Sequence, residues 1–460
     1  MQNKKFKLQE VVKKLSLCAL TFLILFLGFF SNYWGVAEQE WFSSHQHDTE
    51  SLIIGRIVKS SQDGMFSAGG LPGAGMSNNI HSDWITPEQV REQYSAYLNG
   101  GSFKEYSPYM SQIGGQGILF SLLDSLLPIS PQRKLKLFYL LTSLLTAIAL
   151  SSIVLWFYLE FGMIVAISVA CSMVFSQWLT IFGRNLWWSI WAFYLPMILV
   201  MFLFRYKGTQ LYNSFRSLGI VVVVSVLIKC IINGYEYITT TLIMMTIPFV
   251  YYSVLFRFGF RKFIRGMVLS VVCSFAAVLL SFMVLSVQIY CVKGEVSAGV
   301  EHILFSFGKR TYGDVKDYSE SYRNSLQSNV IDVTVKYARG IFFDLNNYIS
   351  TSNSLVSNVV FKVRYKYLLV LFMGMSVLVI YLKKNNMSGE GRLKEGALVV
   401  ATWVSVLAPL SWYVIFKAHS SIHTNINYIV WQMPFSLFGF AVCGLVIKNM
   451  RISLWVNPNR

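Results

Sequence analysis

Long apolar runs alternate with polar segments along the whole 460-residue chain. Each run has roughly 17 to 25 residues, and about 20 apolar residues rising ~1.5 Å each cross the hydrocarbon core of a bilayer. We therefore expect an all-α fold, a polytopic membrane bundle of about ten transmembrane helices. The predicted helices are 16–34, 137–158, 161–177, 186–204, 218–232, 237–256, 267–292, 367–382, 397–415 and 428–447.

Two polar segments are much longer than the others and divide the chain into five parts. Residues 1–34 hold the N-terminus and the first helix, 35–136 form the first long segment, and 137–292 hold helices two to seven. Residues 293–366 form the second long segment, and 367–460 hold the last three helices and a tail. Lysines precede the first run and no small-residue cleavage site follows it, which predicts an uncleaved signal anchor.

The charge distribution gives the chain an orientation. There are 39 Lys and Arg against 22 Asp and Glu, a net charge of +17, and the basic residues cluster in short loops between apolar runs. Because such loops face the cytoplasm, both termini are expected inside and both long segments outside. The turn at Glu160 is an acidic exception. A basic stripe on a soluble element is missing from the sequence, so no nucleic-acid partner is expected.

The first long segment carries its own helix signals. Thr86, Pro87 and Gln89 have the spacing of a helix start with a capping box, with Trp84 just before them. Residues 117–127 have the pattern of an amphipathic helix lying along the membrane interface. Gly and Ser in residues 64–77 indicate a flexible stretch between these elements.

Asp48 and Glu50 are the leading candidates for chemistry, because acidic residues are scarce and these two follow a membrane helix. In an extended segment both would point to one side, whereas on a helix they would face apart. Such a carboxylate can act as a general base. A solvated loop, or a partial metal site with His45 and His47, are the other interpretations, and no complete set of metal ligands is present in the sequence.

Four other positions are candidates for binding a substrate phosphate or lining its cavity. Arg56 and Arg184 can each pair with a phosphate, although Arg184 can equally extend to the interface within an aromatic belt. Lys229 lies within a predicted helix, where a charge needs a partner or a cavity, and Glu236 is near enough to form an ion pair with it.

Histidines and a mixed-charge surface complete the candidates. His419 and His423 are four residues apart and share a face if helical, where they can bind phosphate or lie at the interface. Six charged residues of the second long segment can form a carbohydrate-binding or simply solvated surface. They are Lys309, Arg310, Asp314, Lys316, Asp317 and Arg323.

The layout resembles the GT-C superfamily of membrane glycosyltransferases, and bacterial O-antigen-modifying glucosyltransferases within it. The resemblance is carried by Asp48-Thr-Glu50 near the start of a long outer loop, and by Arg133-Lys-Leu-Lys-Leu-Phe-Tyr-Leu-Leu leading into the second helix. It implies inverting transfer of a sugar from a polyprenyl-phosphate donor to a glycan or lipid, without a cofactor. Asp48 is then the expected base and Glu50 its alternative, on the periplasmic face of a bacterial inner membrane.

Two other functions remain open. An O-antigen polymerase or ligase would depend on His419, His423, Arg310 and Arg323, with Asp48 dispensable. A lipid-linked glycan flippase would be expected to show paired broken helices or an internal repeat, and neither is evident in the sequence.

Overall fold

The computed structural model describes residues 2–76, 85–208, 210, 215–344, 362–386 and 389–456. It is 79% helical, with almost no sheet. Its α-helices are α1 (Gln2–Ser31), α2 (Gln39–Ser44), α3 (His47–Asp63), α4 (Pro87–Asn99), α5 (Gly115–Leu126), α6 (Pro131–Phe161), α7 (Met163–Val174), α8 (Gln177–Phe182), α9 (Ile190–Lys207), α10 (Arg216–Asn233), α11 (Ile238–Leu255), α12 (Phe260–Lys293), α13 (Ala298–Arg310), α14 (Arg323–Leu326), α15 (Val330–Ala338), α16 (Tyr365–Asn386), α17 (Gly389–Ser405), α18 (Leu407–Ile415), α19 (Lys417–Ile422) and α20 (Phe435–Val456).

The described residues contain nine helical stretches long and apolar enough to cross a membrane, so the predicted all-α polytopic bundle is confirmed. The last of them, Ile426–Arg451, joins a short 3₁₀-helix (Ile426–Gln432) to α20; 94% of its most apolar stretch is buried, so it lies at the centre, whereas the corresponding share for α12 is 28% and this helix lies at the periphery. α12 exposes Val271, Phe275 and Met283. An apolar face of this kind is expected to contact lipid.

Among the predicted membrane helices, 161–177 is the one for which the described residues contain no helical stretch long enough to cross a membrane. In its place is α7, whose 12 residues rise only ~18 Å, too short for a bilayer core. The run breaks because the Ser176 hydroxyl accepts a hydrogen bond from the Leu179 amide and starts α8 as a separate helix. The chain still passes from one end of the bundle to the other here, as a broken helix packed between α6 and α20.

The negative charge of Glu160, at the acidic turn, is stabilised by groups from three other helices. Its carboxylate accepts hydrogen bonds from Tyr251 (3.0 Å) and Tyr252 (2.8 Å). It also pairs with Arg205 Nε at 3.2 Å and Lys394 Nζ at 3.5 Å. Basic residues of the predicted inner loops thus meet at one end of the bundle and neutralise this carboxylate.

The two long polar segments meet at the opposite end. The first contains α2 to α5 and a hairpin of β1 (Gly73–Met76) and β2 (Glu105–Pro108), paired antiparallel. The second contains α13 to α15, and β3 (Ile341–Asp344) pairs with β4 (Lys362–Arg364).

The capping box of α4 is present as predicted, with the Gln89 amide donating to Thr86 Oγ1 at 3.3 Å, while Trp84 lies outside the described residues. The amphipathic helix expected at 117–127 is found as α5.

Candidate functional site

Asp48 and Glu50 diverge because the segment that carries them is helical. The chain turns at Gln46, whose φ of 61° is left-handed, and α3 begins at His47. Two residues on a helix are about 200° apart, so the two side chains leave α3 in different directions. Asp48 is exposed and faces a cavity, whereas Glu50 is 2% exposed and faces the bundle. The extended arrangement, in which both would reach one substrate, is not formed.

Glu50 ties α3 to three other parts of the fold. Its Oε1 accepts hydrogen bonds from the hydroxyls of Tyr94 and Tyr139, each at 2.6 Å. Its Oε2 accepts from the Leu186 amide at 3.0 Å. Burial and the adjacent carboxylate raise the pKa of Tyr94 well above its usual value, so this phenol stays a donor. We therefore assign Glu50 a structural role instead of the expected catalytic one.

Asp48 lines a cavity of about 360 Å³ at the end of the bundle where the two long segments meet. Its wall contains five charged or titratable groups besides Asp48, and four aromatic rings. They are Glu236, Lys309, Arg310, His419, His423, Tyr109, Trp187, Trp188 and Tyr322. Glu236, His419 and His423, which the sequence analysis identified as candidate substrate-binding residues, thus line the same cavity as Asp48. The cavity is formed by loops that are far apart in the sequence.

Glu236 lies in a constrained turn between α10 and α11. Gly234 and Tyr237 both have left-handed φ values, 56° and 50°, and for a bulky residue such as Tyr237 this conformation is strained. Lys229, which is wholly buried, donates to the carbonyl oxygens of Gly234 (2.8 Å) and Glu236 (2.6 Å). Lys229 therefore holds the backbone of the turn. It neither pairs with the Glu236 carboxylate nor lines the cavity, contrary to both expectations.

The Glu236 carboxylate is held between two basic side chains. Its Oε1 is 3.7 Å from Arg310 Nη2, and its Oε2 is 3.5 Å from His419 Nε2. Both Glu236 Oε2 and His419 Nε2 are buried, and neither forms a hydrogen bond with the described part of the protein. Burial alone would raise the pKa of Glu236, but His419 and Arg310 outweigh it and lower the pKa to about 2. Glu236 is thus an anion at any physiological pH.

Arg310 and His423 add cationic and neutral groups to the same wall. Arg310 donates to the Tyr109 hydroxyl at 3.0 Å, which joins the second long segment to the first. Burial lowers the pKa of Arg310, but Tyr109 and Glu236 together raise it by more than burial lowers it. The pKa of Arg310 is therefore above its usual value, and the guanidinium keeps its charge. For His423, burial and then the neighbouring His419 lower the pKa to about 3, so its imidazole is neutral at physiological pH.

Arg56 and Arg184 lie away from this cavity, contrary to the expectation that they bind phosphate. Arg56 is wholly buried and donates to the carbonyl oxygen and hydroxyl of Ser67, at 2.5 and 2.8 Å, holding the loop that follows α3. Arg184 stacks on the ring of Phe42, with its guanidinium carbon 4.2 Å from the centroid, and donates to the Phe42 carbonyl at 3.3 Å. The Arg56 guanidinium is thus satisfied by the protein itself, and that of Arg184 is engaged by Phe42.

The histidines near Asp48 contact aromatic rings. His45 packs edge-on against Trp41 and Phe182, and His47 lies 5.3 Å from the Tyr94 ring. Within the described residues, no group of three or more potential ligands is placed to hold a metal ion. The partial metal site considered for this segment has no geometric support.

Two apolar spaces lie next to the polar cavity and share wall residues with it or with each other. A space of about 440 Å³ shares Ser111 and Arg310 with the polar cavity and is lined mainly by apolar residues of α12 and α13. It shares Ile238 and Val278 with a larger apolar space of about 980 Å³ between α11, α12 and α17. The larger space extends to Arg257, beyond the far end of α11. We refer to the two spaces together as the lateral groove.

Arg310 lies where the polar cavity and the lateral groove meet. From the sequence, we expect Arg310 on a carbohydrate-binding or solvated surface, or in the alternative polymerase or ligase site. Nothing in the sequence indicates that Arg310 lies next to Glu236, which is 74 positions earlier in the chain. The other members of that surface are outside the cavity except Lys309; Arg323, for example, is exposed and pairs with Glu320 at 2.9 Å.

A comparison of the chain with protein-family models, curated proteins and solved structures finds no match.

Proposed function

We propose that this multi-pass membrane protein is a glycosyltransferase that uses a lipid-linked phosphate sugar as its donor. The observation that carries the proposal is the position of Arg310, which lines both the polar cavity, with its two carboxylates and several basic groups, and the adjoining lateral groove. A molecule that fills both would be polar at one end, with a group that Arg310 and Lys309 can bind, and a long hydrocarbon at the other. A polyprenyl-phosphate sugar has this form, and the resemblance to GT-C enzymes independently implies it.

The length of the groove agrees with a long single chain. The 18 residues of α11 rise ~27 Å, close to the thickness of a bilayer core, and groove residues flank the whole of this helix. Ordinary phospholipid tails reach only about half of that thickness. The phosphate would lie at Arg310 and Lys309, with His419 and His423 as further donors of hydrogen bonds.

Asp48 supplies the base in this proposal. Its carboxylate takes the proton of the acceptor hydroxyl, and the hydroxyl oxygen attacks the anomeric carbon of the sugar from the face opposite the phosphate. The bond from that carbon to the phosphate oxygen breaks, and its electron pair leaves on the phosphate, so the configuration inverts. Arg310 stabilises the charge that develops there. The reaction would take place at the periplasmic face of a bacterial inner membrane, with a glycan or lipid as acceptor.

The test is the substitution Asp48→Asn, which keeps the size of the side chain but removes the base. We expect normal amounts of folded protein in the membrane and a loss of transfer of at least about 100-fold. Mass spectrometry of surface glycans would compare a deletion strain carrying wild type, Asp48→Asn or the control Asp332→Asn, whose exposed carboxylate is on α15. Wild-type levels of glycan modification with Asp48→Asn would refute the assignment.

A polymerase or ligase acting on lipid-linked glycans is the second candidate. It is favoured by the presence of Arg310, His419 and His423 in the cavity, although Arg323 lies outside it. In that case Asp48→Asn would leave the glycans unchanged and His419→Gln would shorten the glycan ladder on a gel. A transferase would instead lose a single sugar decoration with its chain lengths unaltered.

A further inference from the structure

Glu236 has a position that the transfer reaction alone does not explain. A buried carboxylate beside the donor phosphate repels it, yet the turn that carries Glu236 is strained and is held by a wholly buried lysine. Strained backbone persists only where the surrounding structure enforces it, and it is concentrated at functional sites. Glu236 therefore needs a role in which a negative charge near the phosphate is useful.

The charged groups around Glu236 come from several elements that border this part of the cavity. Arg310 approaches from α13 and His419 from α19, while the Lys229 ammonium on α10 is engaged by backbone oxygens behind the turn. Lys309 and Asp48 line the same cavity, and His423 lies beside His419 with ring centroids 4.4 Å apart. The Glu236 carboxylate thus offsets one positive charge among the basic residues that would bind the donor phosphate.

We infer that Glu236 is a specificity-determining residue that favours a singly charged phosphodiester over phosphomonoesters and diphosphates in this cavity. The inference rests on the proposed lipid-phosphate donor. A sugar linked through phosphate to a lipid is a diester with one negative charge, whereas a phosphomonoester carries about −1.5 to −2 at pH 7, and a diphosphate carries more still. Each additional charge meets the fixed anion of Glu236 in a partly desolvated space, where like-charge repulsion is weakly screened.

The same discrimination would separate donor from product. Sugar transfer converts the lipid-linked diester into a lipid phosphomonoester, which gains negative charge as the sugar departs. The spent carrier is then repelled by Glu236 more strongly than the donor was. Its release back along the lateral groove is favoured without any movement of the fold.

The experiment measures binding and does not require transfer. Three ligands with one short prenyl chain are compared on the full-length protein in detergent: the phosphate, its methyl diester and the diphosphate. Calorimetry at pH 7.5 and constant ionic strength gives the affinities for wild type, Glu236→Gln and Glu236→Asp. We expect wild type and Glu236→Asp to bind the diester most tightly. In Glu236→Gln, the phosphate and the diphosphate should each gain at least about tenfold relative to the diester.

The outcomes separate the inference from the proposed function. If wild type binds the ligands but prefers the diphosphate, or if Glu236→Gln leaves the ratios unchanged, the role of Glu236 is refuted and the donor site stands. If wild type binds none of the three, the lipid-phosphate site itself is refuted, and the inference with it. The order measured on wild type is a test by itself, so the inference remains falsifiable if Glu236→Gln does not fold.

Discussion

Glu50 shows how one carboxylate can hold several elements together. It accepts hydrogen bonds from α4, from α6 and from the loop before α9, with a side chain that is almost wholly buried. Hydrogen bonds to a buried charge contribute more than neutral ones, about 1.5 to 3 kcal/mol each. Its neighbour Asp48, two residues earlier on α3, has no comparable set of bonds and faces the cavity.

We expect Glu50→Gln to destabilise the protein without touching the chemistry directly. The amide cannot accept three hydrogen bonds as strongly as the carboxylate, so the unfolding free energy should fall by about 2 to 3 kcal/mol. Thermal unfolding in detergent would compare Glu50→Gln with Asp48→Asn. An unchanged Tm for Glu50→Gln, or a fall of equal size for Asp48→Asn, would contradict the division of roles.

At the scale of single elements, α3 packs unusually closely on the hairpin of the first long segment. A Cβ atom added to Gly55 in the middle of α3 would overlap the carbonyl oxygen of Gly73 in β1, and would come within 2.7 Å of Gln93 Oε1. Gln93 is buried and bonds both the amide and the carbonyl of Gly75. The absence of a side chain at Gly55 thus lets a helix approach a strand that supports the cavity wall.

Gly55→Ala should therefore cost about 1 to 3 kcal/mol of stability and loosen the hairpin. The matched control is Gly374→Ala in α16, where an added Cβ meets nothing within 4 Å and should stabilise the helix by about 0.5 to 1 kcal/mol. Denaturation midpoints of the two variants are expected on opposite sides of wild type. Equal midpoints would show that the close approach at Gly55 is easily relieved.

Local signals predicted the elements well where one interaction decides the structure. Apolar runs located the membrane helices, and Thr86 with Gln89 located the start of α4. The signals failed where two local outcomes compete. The run 161–177 is apolar enough for one helix, but the Ser176 hydroxyl offers the backbone another way to satisfy its amides and divides the run. Asp48 and Glu50 depended in the same way on a conformation set by Gln46.

At the scale of the whole molecule, two sets of charged groups lie at opposite ends of the bundle. One surrounds Glu236 and the other surrounds Glu160, and each brings together residues far apart in the chain. Residues 48, 236, 310 and 419 come from four separate segments. The sequence identified all four as candidates, Arg310 for a different surface or function, but their meeting depends on the packing of helices, which a single sequence does not encode locally.

The cluster at Glu160 is expected to stabilise the bundle without influencing donor binding. Glu160→Gln leaves Arg205 and Lys394 without their shared partner, and because both are partly exposed the loss should be about 1 to 3 kcal/mol. Thermal unfolding and prenyl phosphate affinity would be measured beside Glu390→Gln, an exposed control on α17. A lowered Tm with unchanged affinity supports the separation of the two ends; a changed affinity would show that they are coupled.

The broken helix α7 has a consequence for the synthesis of the protein. Its 12 residues are too few to span a bilayer core alone, and its main packing partners are α6, made just before it, and α20, made much later. Until α20 leaves the ribosome, α7 lacks the largest part of its final packing. The part of the bundle around α7 thus cannot reach its finished form until α20 is inserted, so a chain shortened before α20 should be recognised by membrane proteases.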